Sequence, residues 1–242
     1  MVRKRPLLRT WSIAWLSAPE NEGNENMVND IVNIIEPDDD ARISFARILE
    51  SQGINTRAYA SVDSFMQAFD PGQRSVLLLE LVGSGTSGLE LLRRLHRERL
   101  SMAVIATTAA DSPRLVLDAF HAGAFDCLLK PVDSERLLGC LSRAQAESRR
   151  RYERIAFRRE VGGGLAALSQ GEADVLESLL VGMANKKTAI KLKVGLRTVE
   201  ARRARIMRKL DSANLPELVR KVVLYRAAEA EIPLAVHENG HS

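Results

Sequence analysis

A repeated alternation between short apolar runs and longer amphipathic stretches constrains the fold of residues 28–145 more than any other feature. The apolar runs are DIVNII, RAYA, SVLLLE, SMAVIATT and FDCLLK, and an amphipathic stretch follows each of them. Strand-like runs that alternate with helix-like stretches are typical of parallel sheets, because parallel strands need long crossover connections. The pattern therefore predicts an α/β domain, a doubly wound five-stranded parallel sheet with helices on both faces.

Polar residues stand where these apolar runs end. Glu36 follows the first run, Glu80 ends the third, Thr107 and Thr108 end the fourth, and Lys130 ends the fifth. In open parallel sheets the ligand crevice lies beyond the carboxyl ends of the strands. This edge of the sheet is therefore the candidate site of the domain.

The charge of the 242-residue chain is unevenly distributed. Residues 28–145 hold 12 Lys and Arg against 16 Asp and Glu, whereas residues 165–226 hold 13 against 6. Only the C-terminal part is therefore expected to bind a polyanion. Cys127 and Cys140, the two cysteines, lack the spacing of a zinc site or a disulfide framework, which favours a reducing, cytoplasmic location.

The two ends of the chain have no globular pattern. Residues 1–27 include an apolar stretch interrupted by Arg9, which falls short of the ~20 apolar residues that span a membrane. We predict a disordered or mis-annotated N-terminal extension and no membrane association. The polar residues 229–242 are predicted to form a flexible tail.

Residues 146–164 are predicted to form an Arg-rich linker helix that ends at a glycine hinge, residues 162–164. Beyond it, Ser169 and Glu172 have the spacing of a capping box that opens a helix. Gly182 ends this helix, Asn185 is predicted to cap a short second one, and a turn containing Gly195 leads to a third. A short helix, a tight turn and a second helix are typical of a helix-turn-helix, whose second helix enters the DNA major groove.

The third of these helices has one apolar and one basic face. Val199, Ile206 and Leu210 are spaced to face inward. A solvated, merely soluble helix is the alternative explanation, but the preceding caps and turn favour DNA binding. The candidate DNA-binding residues are exposed charged, hydroxyl or small residues of this helix and of the lysine-rich helix before it: Lys186, Lys187, Arg197, Thr198, Glu200, Ala201, Arg202, Ala204, Arg205, Arg208 and Lys209.

The segment GEADVLESLLVGMANKKTAIKLKVGLRTVEARRARIMRKL, followed by PELVRKVV, resembles the LuxR-type helix-turn-helix of the FixJ/NarL response regulators. The resemblance assigns residues 165–228 to an all-α DNA-binding domain with residues 197–210 as the recognition helix. It implies a sequence-specific transcriptional regulator that acts as a homodimer on double-stranded DNA, with RNA polymerase or another regulator as a further partner. Arg202 departs from the histidine that is common in the family.

Residues 28–145 resemble the receiver domain of the same regulators through VNIIEPDDD, LLLELVGSGTSGLELL, AVIATTAA and AFHAGAFDCLLKP. The resemblance implies a flavodoxin-like strand order 2-1-3-4-5. In the family, two acids hold Mg²⁺, an aspartate ending strand three accepts a phosphoryl group, and a hydroxyl and a lysine respond to it. The matching positions form a degenerate phosphoacceptor pocket: Glu36, Pro37, Asp38, Glu80, Thr108 and Lys130.

The departures from the receiver pattern concern the metal and the acceptor. Proline at 37 offers no side-chain oxygen, and Asp38 would serve only in a displaced loop. Cys127 stands where an aromatic switch residue is common. Because Mg²⁺ demands close octahedral geometry, we expect its binding to be weak or lost, with no other cofactor and no enzymatic activity.

Glu80 is longer than aspartate by one carbon, ~1.5 Å of bond length, and so reaches towards the place of a phosphoryl group. It is expected to accept a hydrogen bond from Thr108 and to pair with Lys130. Three interpretations stay open at this point: a receiver biased towards its active state without phosphorylation, a pseudo-receiver scaffold that binds a kinase or other partner, and a regulator with residual phosphotransfer.

Overall fold

The computed structural model describes residues 31–83, 88–109 and 113–230, and these form two compact units. The first unit ends at Glu153 and the second begins at Arg154. The predictions for residues 1–27 and for most of the tail, residues 231–242, lie outside the described residues. Every helix within the described ranges is too short or too polar to span a lipid bilayer.

The first unit contains a five-stranded parallel sheet. Its strand order is β2-β1-β3-β4-β5, which confirms the predicted topology. The five strands lie where the apolar runs predicted them: β1 (Ile31–Ile35), β2 (Thr56–Tyr59), β3 (Ser75–Glu80), β4 (Ala103–Thr108) and β5 (Asp126–Leu129).

Helices cover both faces of this sheet. The side chains of each strand alternate between the two faces, so a strand contributes apolar residues to the core on either side. Leu77 and Leu79 of β3 pack into the core on one side, and Val76 and Leu78 pack into the core on the other. All six residues of β3 are buried, as expected for the central strand of a covered parallel sheet. The helices of this unit are α1 (Asp39–Glu50), α2 (Val62–Ala68), α3 (Gly88–Arg97), α4 (Pro113–His121) and the first part of α5 (Ser134–Ala166).

The second unit is all-helical. It contains the end of α5 together with α6 (Gln170–Leu180), α7 (Asn185–Leu192), α8 (Leu196–Lys209) and α9 (Leu215–Ala230). The predicted capping box is confirmed, since the Ser169 hydroxyl accepts from the Glu172 N–H (3.4 Å) and the Glu172 carboxylate accepts from the Ser169 N–H (2.9 Å). Val199, Ile206 and Leu210 are buried in its core, as their spacing predicted.

Two local predictions are wrong. Residues 162–164 do not end the linker helix, because α5 continues through all three glycines to Ala166. Asn185 does not cap α7: it is the first residue of the helix, and the capping position is Ala184, which makes no side-chain cap. Glycine weakens a helix only by about 1 kcal/mol per residue relative to alanine, so packing can outweigh its low propensity.

Candidate functional site

Glu36, Glu80 and Lys130 lie together at the carboxyl-end edge of the sheet, because β1, β3 and β5 all run in the same direction. Glu36 and Glu80 are 2% and 4% exposed, so both acids are withdrawn from solvent. A buried carboxylate is costly unless it is paired and hydrogen-bonded. The partners of these two acids therefore decide what the pocket can do.

The ammonium group of Lys130 bridges the two acids. Its Nζ lies 2.6 Å from Glu36 Oε2 and 2.5 Å from Glu80 Oε2. Contacts of this length are charge-assisted hydrogen bonds, which are stronger than neutral ones. One cation thus holds two anions, and the cluster retains one net negative charge.

The remaining carboxylate contacts come from nearby backbone and hydroxyl groups. Glu36 Oε1 accepts from the Asp38 N–H (3.2 Å), and Glu80 Oε1 accepts from the Val82 N–H (3.1 Å). The Thr107 hydroxyl donates to Glu80 Oε2 (3.3 Å). Each of the four carboxylate oxygens therefore has at least one donor, which fixes the orientation of both side chains.

This environment keeps Lys130 protonated. Burial lowers the pKa of the Lys130 ammonium, but its hydrogen bonds to Glu36 and Glu80 and their negative charges act more strongly in the opposite direction. The net result is a pKa raised above the ordinary lysine value. The bridging cation is consequently present throughout the neutral pH range.

Pro37 and Asp38 contact neighbouring groups of helix α1. The Asp38 carboxylate caps α1, where its Oδ1 accepts from the Ala41 N–H at 2.8 Å. The backbone carbonyls of Glu36 and Pro37 accept from the Arg42 guanidinium at 2.8 and 3.3 Å. Within the described residues no group of three or more His, Cys, Asp or Glu side chains could hold a metal ion. In this arrangement the two buried acids contact an ammonium group.

A hydroxyl contact to Glu80 comes from Thr107, one residue before the position that the resemblance assigned. The strand register pairs Glu80 with Thr107. Thr108 is the next residue along β4, so it points to the opposite face, where it is fully buried. The Thr107 hydroxyl therefore contacts Glu80, and the assignment of Thr108 to the pocket stays a prediction. Cys127, at the position of the common aromatic switch, is also buried, and burial raises the pKa of its thiol.

The exposed face of α8 is the second candidate site. The residues that the sequence assigned to its outer face are all exposed, and they combine positive charge with two small side chains: Arg197, Thr198, Glu200, Ala201, Ala204, Arg205 and Arg208. Lys186 and Lys187 are exposed on α7. A narrow cationic helix face with alanines allows close approach to a groove and contacts with phosphates.

Two residues of the assigned set contact other elements of their own unit. The Lys209 ammonium lies 2.7 Å from Glu172 Oε2 and donates to the Ala167 carbonyl at 2.9 Å. Its hydrogen bond, together with the cap at Ser169, lowers the pKa of Glu172 to about 2. Arg202 donates to the Gly171 carbonyl at 3.4 Å and is partly buried. Both side chains thus connect α8 to the start of α6, and their assignment to the DNA face stays a prediction.

Comparisons with known proteins assign a family to each of the two units. The response regulator receiver domain family matches residues 32–142, and the family of bacterial regulatory proteins, luxR family, matches residues 166–222. Transcriptional regulatory protein FixJ of Azorhizobium caulinodans is 38% identical over 200 residues, which cover 83% of this chain and 95% of that protein. C4-dicarboxylate transport transcriptional regulatory protein DctR of Rhodobacter capsulatus is 30% identical over 78% of this chain and 97% of that protein. The solved structure of response regulator StyR gives a TM-score of 0.74 at 26% identity, covering 81% of this chain and 100% of that chain.

Proposed function

The chain belongs to the FixJ-type response regulators, which join a receiver domain to a LuxR-type DNA-binding domain, and from this premise we propose that it regulates transcription without phosphorylation of its receiver. The DNA-binding half of the proposal follows the family. The phosphorylation-independent half rests on one observation, the Lys130 ammonium held between Glu36 and Glu80.

The bridge opposes phosphoryl transfer in two ways. Family members use their buried acids to hold Mg²⁺, whereas here each acid is engaged by a resident ammonium and by further donors. A glutamate at the acceptor position also puts its carboxylate about one bond length, ~1.5 Å, beyond that of an aspartate. Both the metal and the acceptor geometry of the family are therefore altered in this pocket.

The same contacts support a pocket that is permanently set. In the family, a hydroxyl and a lysine respond to the phosphoryl group, and here Thr107 and Lys130 already contact the Glu80 carboxylate. The carboxylate supplies one negative charge, compared with about two for a phosphoryl group. Glu80 thus acts as a built-in anion that is held in place by charge and by its reach.

On DNA, α8 would enter the major groove as the recognition helix. Arg205 and Arg208 lie on its exposed face and carry the planar donors that suit base edges and phosphates. Arg197 and Thr198 stand at the start of the helix, where free backbone N–H groups also attract phosphate. One small unit covers too few bases to select a site alone, so we propose that a homodimer reads two half-sites in the cytoplasm. RNA polymerase or another regulator is proposed as its further protein partner.

A phosphodonor experiment tests the receiver half of the proposal. The full chain is incubated with Mg²⁺ and acetyl phosphate, or with Mg²⁺ and beryllofluoride, and its intact mass, oligomeric state and DNA affinity are measured. We expect no added mass and no change in either binding property. A response regulator with an intact acceptor aspartate, treated in parallel, is the positive control. A mass gain that disappears in Glu80→Gln would contradict the proposal and establish residual phosphotransfer.

A DNA selection experiment tests the other half. Random duplex DNA is selected for binding to the full chain, and the recovered sequences are compared. We expect an enriched motif with two related half-sites. Recovery of unrelated sequences would contradict sequence-specific regulation and would favour a scaffold that works through protein partners.

A further inference from the structure

The last part of α5 packs within the DNA-binding unit, although the luxR-family match begins only at residue 166. Val161 is 1% exposed and belongs to the same core as Ile206 of α8 and Leu218 of α9. Phe157 and Leu165 of α5 are partly buried against that core. These apolar contacts are those of a structural helix and not of a solvated linker.

Polar contacts join the same part of α5 to α9. The Arg158 guanidinium donates to the Ala228 carbonyl at 2.7 Å and lies 2.8 Å from the Glu229 carboxylate. The Lys221 ammonium lies 3.0 Å from the Glu160 carboxylate. An arginine on a carbonyl near the end of a helix satisfies an acceptor that the helix itself leaves free. The contacts run along α9 over more than one turn, so the two helices are fastened at separated points.

The three consecutive glycines of α5, residues 162–164, differ in what an added side chain would contact. A Cβ at Gly164 would lie 2.5 Å from the Lys209 carbonyl oxygen and 2.7 Å from a methyl group of Leu210. A Cβ at Gly162 would lie 3.0 Å from the Tyr225 hydroxyl. A Cβ at Gly163 would meet nothing within 4 Å. Gly164 is therefore the position at which α5 touches backbone, and that backbone is the last residue of the recognition helix.

We propose that residues 157–165 are a fifth helix of the DNA-binding unit, and that Gly164 is a positioning residue that holds the C-terminal end of α8 in place. The absence of a side chain lets the backbone of α5 lie directly against the Lys209 carbonyl. The Lys209 ammonium reinforces this contact, because it donates to the Ala167 carbonyl three residues beyond Gly164. Since α5 is also the covalent connection to the receiver, a shift of α5 at its contact with Lys209 would move the helix that reads DNA.

Two alanine variants of the full chain separate this role from the general effect of replacing a helical glycine. Gly163→Ala adds a methyl group to open space and improves helix propensity, so it is expected to raise Tm and to leave DNA affinity unchanged. Gly164→Ala adds the same methyl group against the Lys209 carbonyl. It is expected to weaken binding about tenfold, the loss of roughly one base contact, at a temperature where both variants remain folded by circular dichroism. The probe is a duplex selected by the wild-type chain.

Hydrogen exchange tests the contact between the end of α5 and the end of α8 without DNA, so its result can be interpreted even if the proposed DNA binding fails. In the wild-type chain the amides of residues 157–165 are expected to be protected as strongly as those of α8. Val161→Ala loosens the same contact without a clash, and it is expected to reduce protection at the end of α8 even if Gly164→Ala does not fold. Rapid exchange of residues 157–165 would refute the structural helix. Equal DNA affinities and equal α8 protection in Gly163→Ala and Gly164→Ala would refute the positioning role of Gly164.

Discussion

Replacement of Lys130 by methionine removes the bridging cation while keeping a long, unbranched side chain. Glu36 and Glu80 would then be two buried acids with no positive partner, and their side chains are only 3% and 5% exposed. Removal of one member of a buried ion pair typically costs 3–5 kcal/mol, because it leaves an uncompensated charge. The Lys130 side chain retains 19% exposure, so water screens part of the interaction, and we take the lower value, about 3 kcal/mol.

This loss translates into a measurable change in Tm. A loss of 1 kcal/mol lowers Tm by about 4 °C in a unit of this size, so Lys130→Met is expected to lower the Tm of the receiver by about 12 °C at neutral pH. Mg²⁺ should raise the Tm of Lys130→Met, since both acids become accessible to a cation, and should leave the wild type unchanged.

Differential scanning calorimetry of the full chain measures these effects at neutral pH, with and without Mg²⁺. Arg136→Met is the matched control, because Arg136 is an exposed cation near the start of α5 in the same unit. The control is expected to change Tm by no more than a surface substitution does, within about 0.5 kcal/mol. If Mg²⁺ raised the Tm of the wild type as much as that of Lys130→Met, the ammonium could not be the resident cation of the pocket.

Two further predictions concern the DNA-binding unit. Combined replacement of Arg205 and Arg208 by alanine is expected to weaken DNA binding strongly and to reduce the salt slope by about two, whereas Arg149→Ala, in the receiver unit, should leave the slope unchanged. An unchanged slope in the double variant would refute the assigned face. The second prediction concerns Glu172, whose folded pKa is about 2 against an ordinary value of 4.5. Its carboxylate therefore stabilises the unit above pH 4.5, and this contribution is lost as pH falls through 4.5 towards 2. Glu172→Gln should weaken the acid dependence of unfolding measured by circular dichroism; an unaltered profile would show that its pair with Lys209 does not stabilise the fold.

The sequence predicted the elements of this chain better than its contacts. Central strands of a parallel sheet are buried on both faces, so runs such as SVLLLE could be identified, and the polar residue that ends such a run marks the carboxyl edge. The residue that faces Glu80 from the next strand could not be identified, because a register shift of one residue turns a side chain to the opposite face of the sheet. Thr107 and Thr108 are equivalent in composition, and only the register with Glu80 distinguishes them.

Tertiary contacts explain the wrong prediction at residues 162–164 and the contacts that the sequence did not show. Three glycines in a row predict a break when propensity is considered alone, but the contact between Gly164 and the Lys209 carbonyl joins residues that are far apart in sequence. Lys209 itself was assigned to DNA because its charge and its place on α8 are visible in the sequence. Its partner Glu172 was identified only as a helix cap, and the same carboxylate serves both roles in the fold.

A pocket that is closed by its own side chains changes how such a regulator can be controlled. Phosphorylation adjusts the fraction of active molecules at constant protein concentration, and a receiver without it has no such adjustment. If dimerisation precedes DNA binding, occupancy of the operator depends on protein concentration through two linked equilibria. The proposed mechanism therefore predicts that promoter output follows the amount of this protein, and that Glu80→Gln, which removes the built-in anion, alters output at constant protein level. Quantitative immunoblotting alongside a reporter of promoter activity measures both; output that varies at constant protein level in the wild type would require a signal that reaches the receiver by another route.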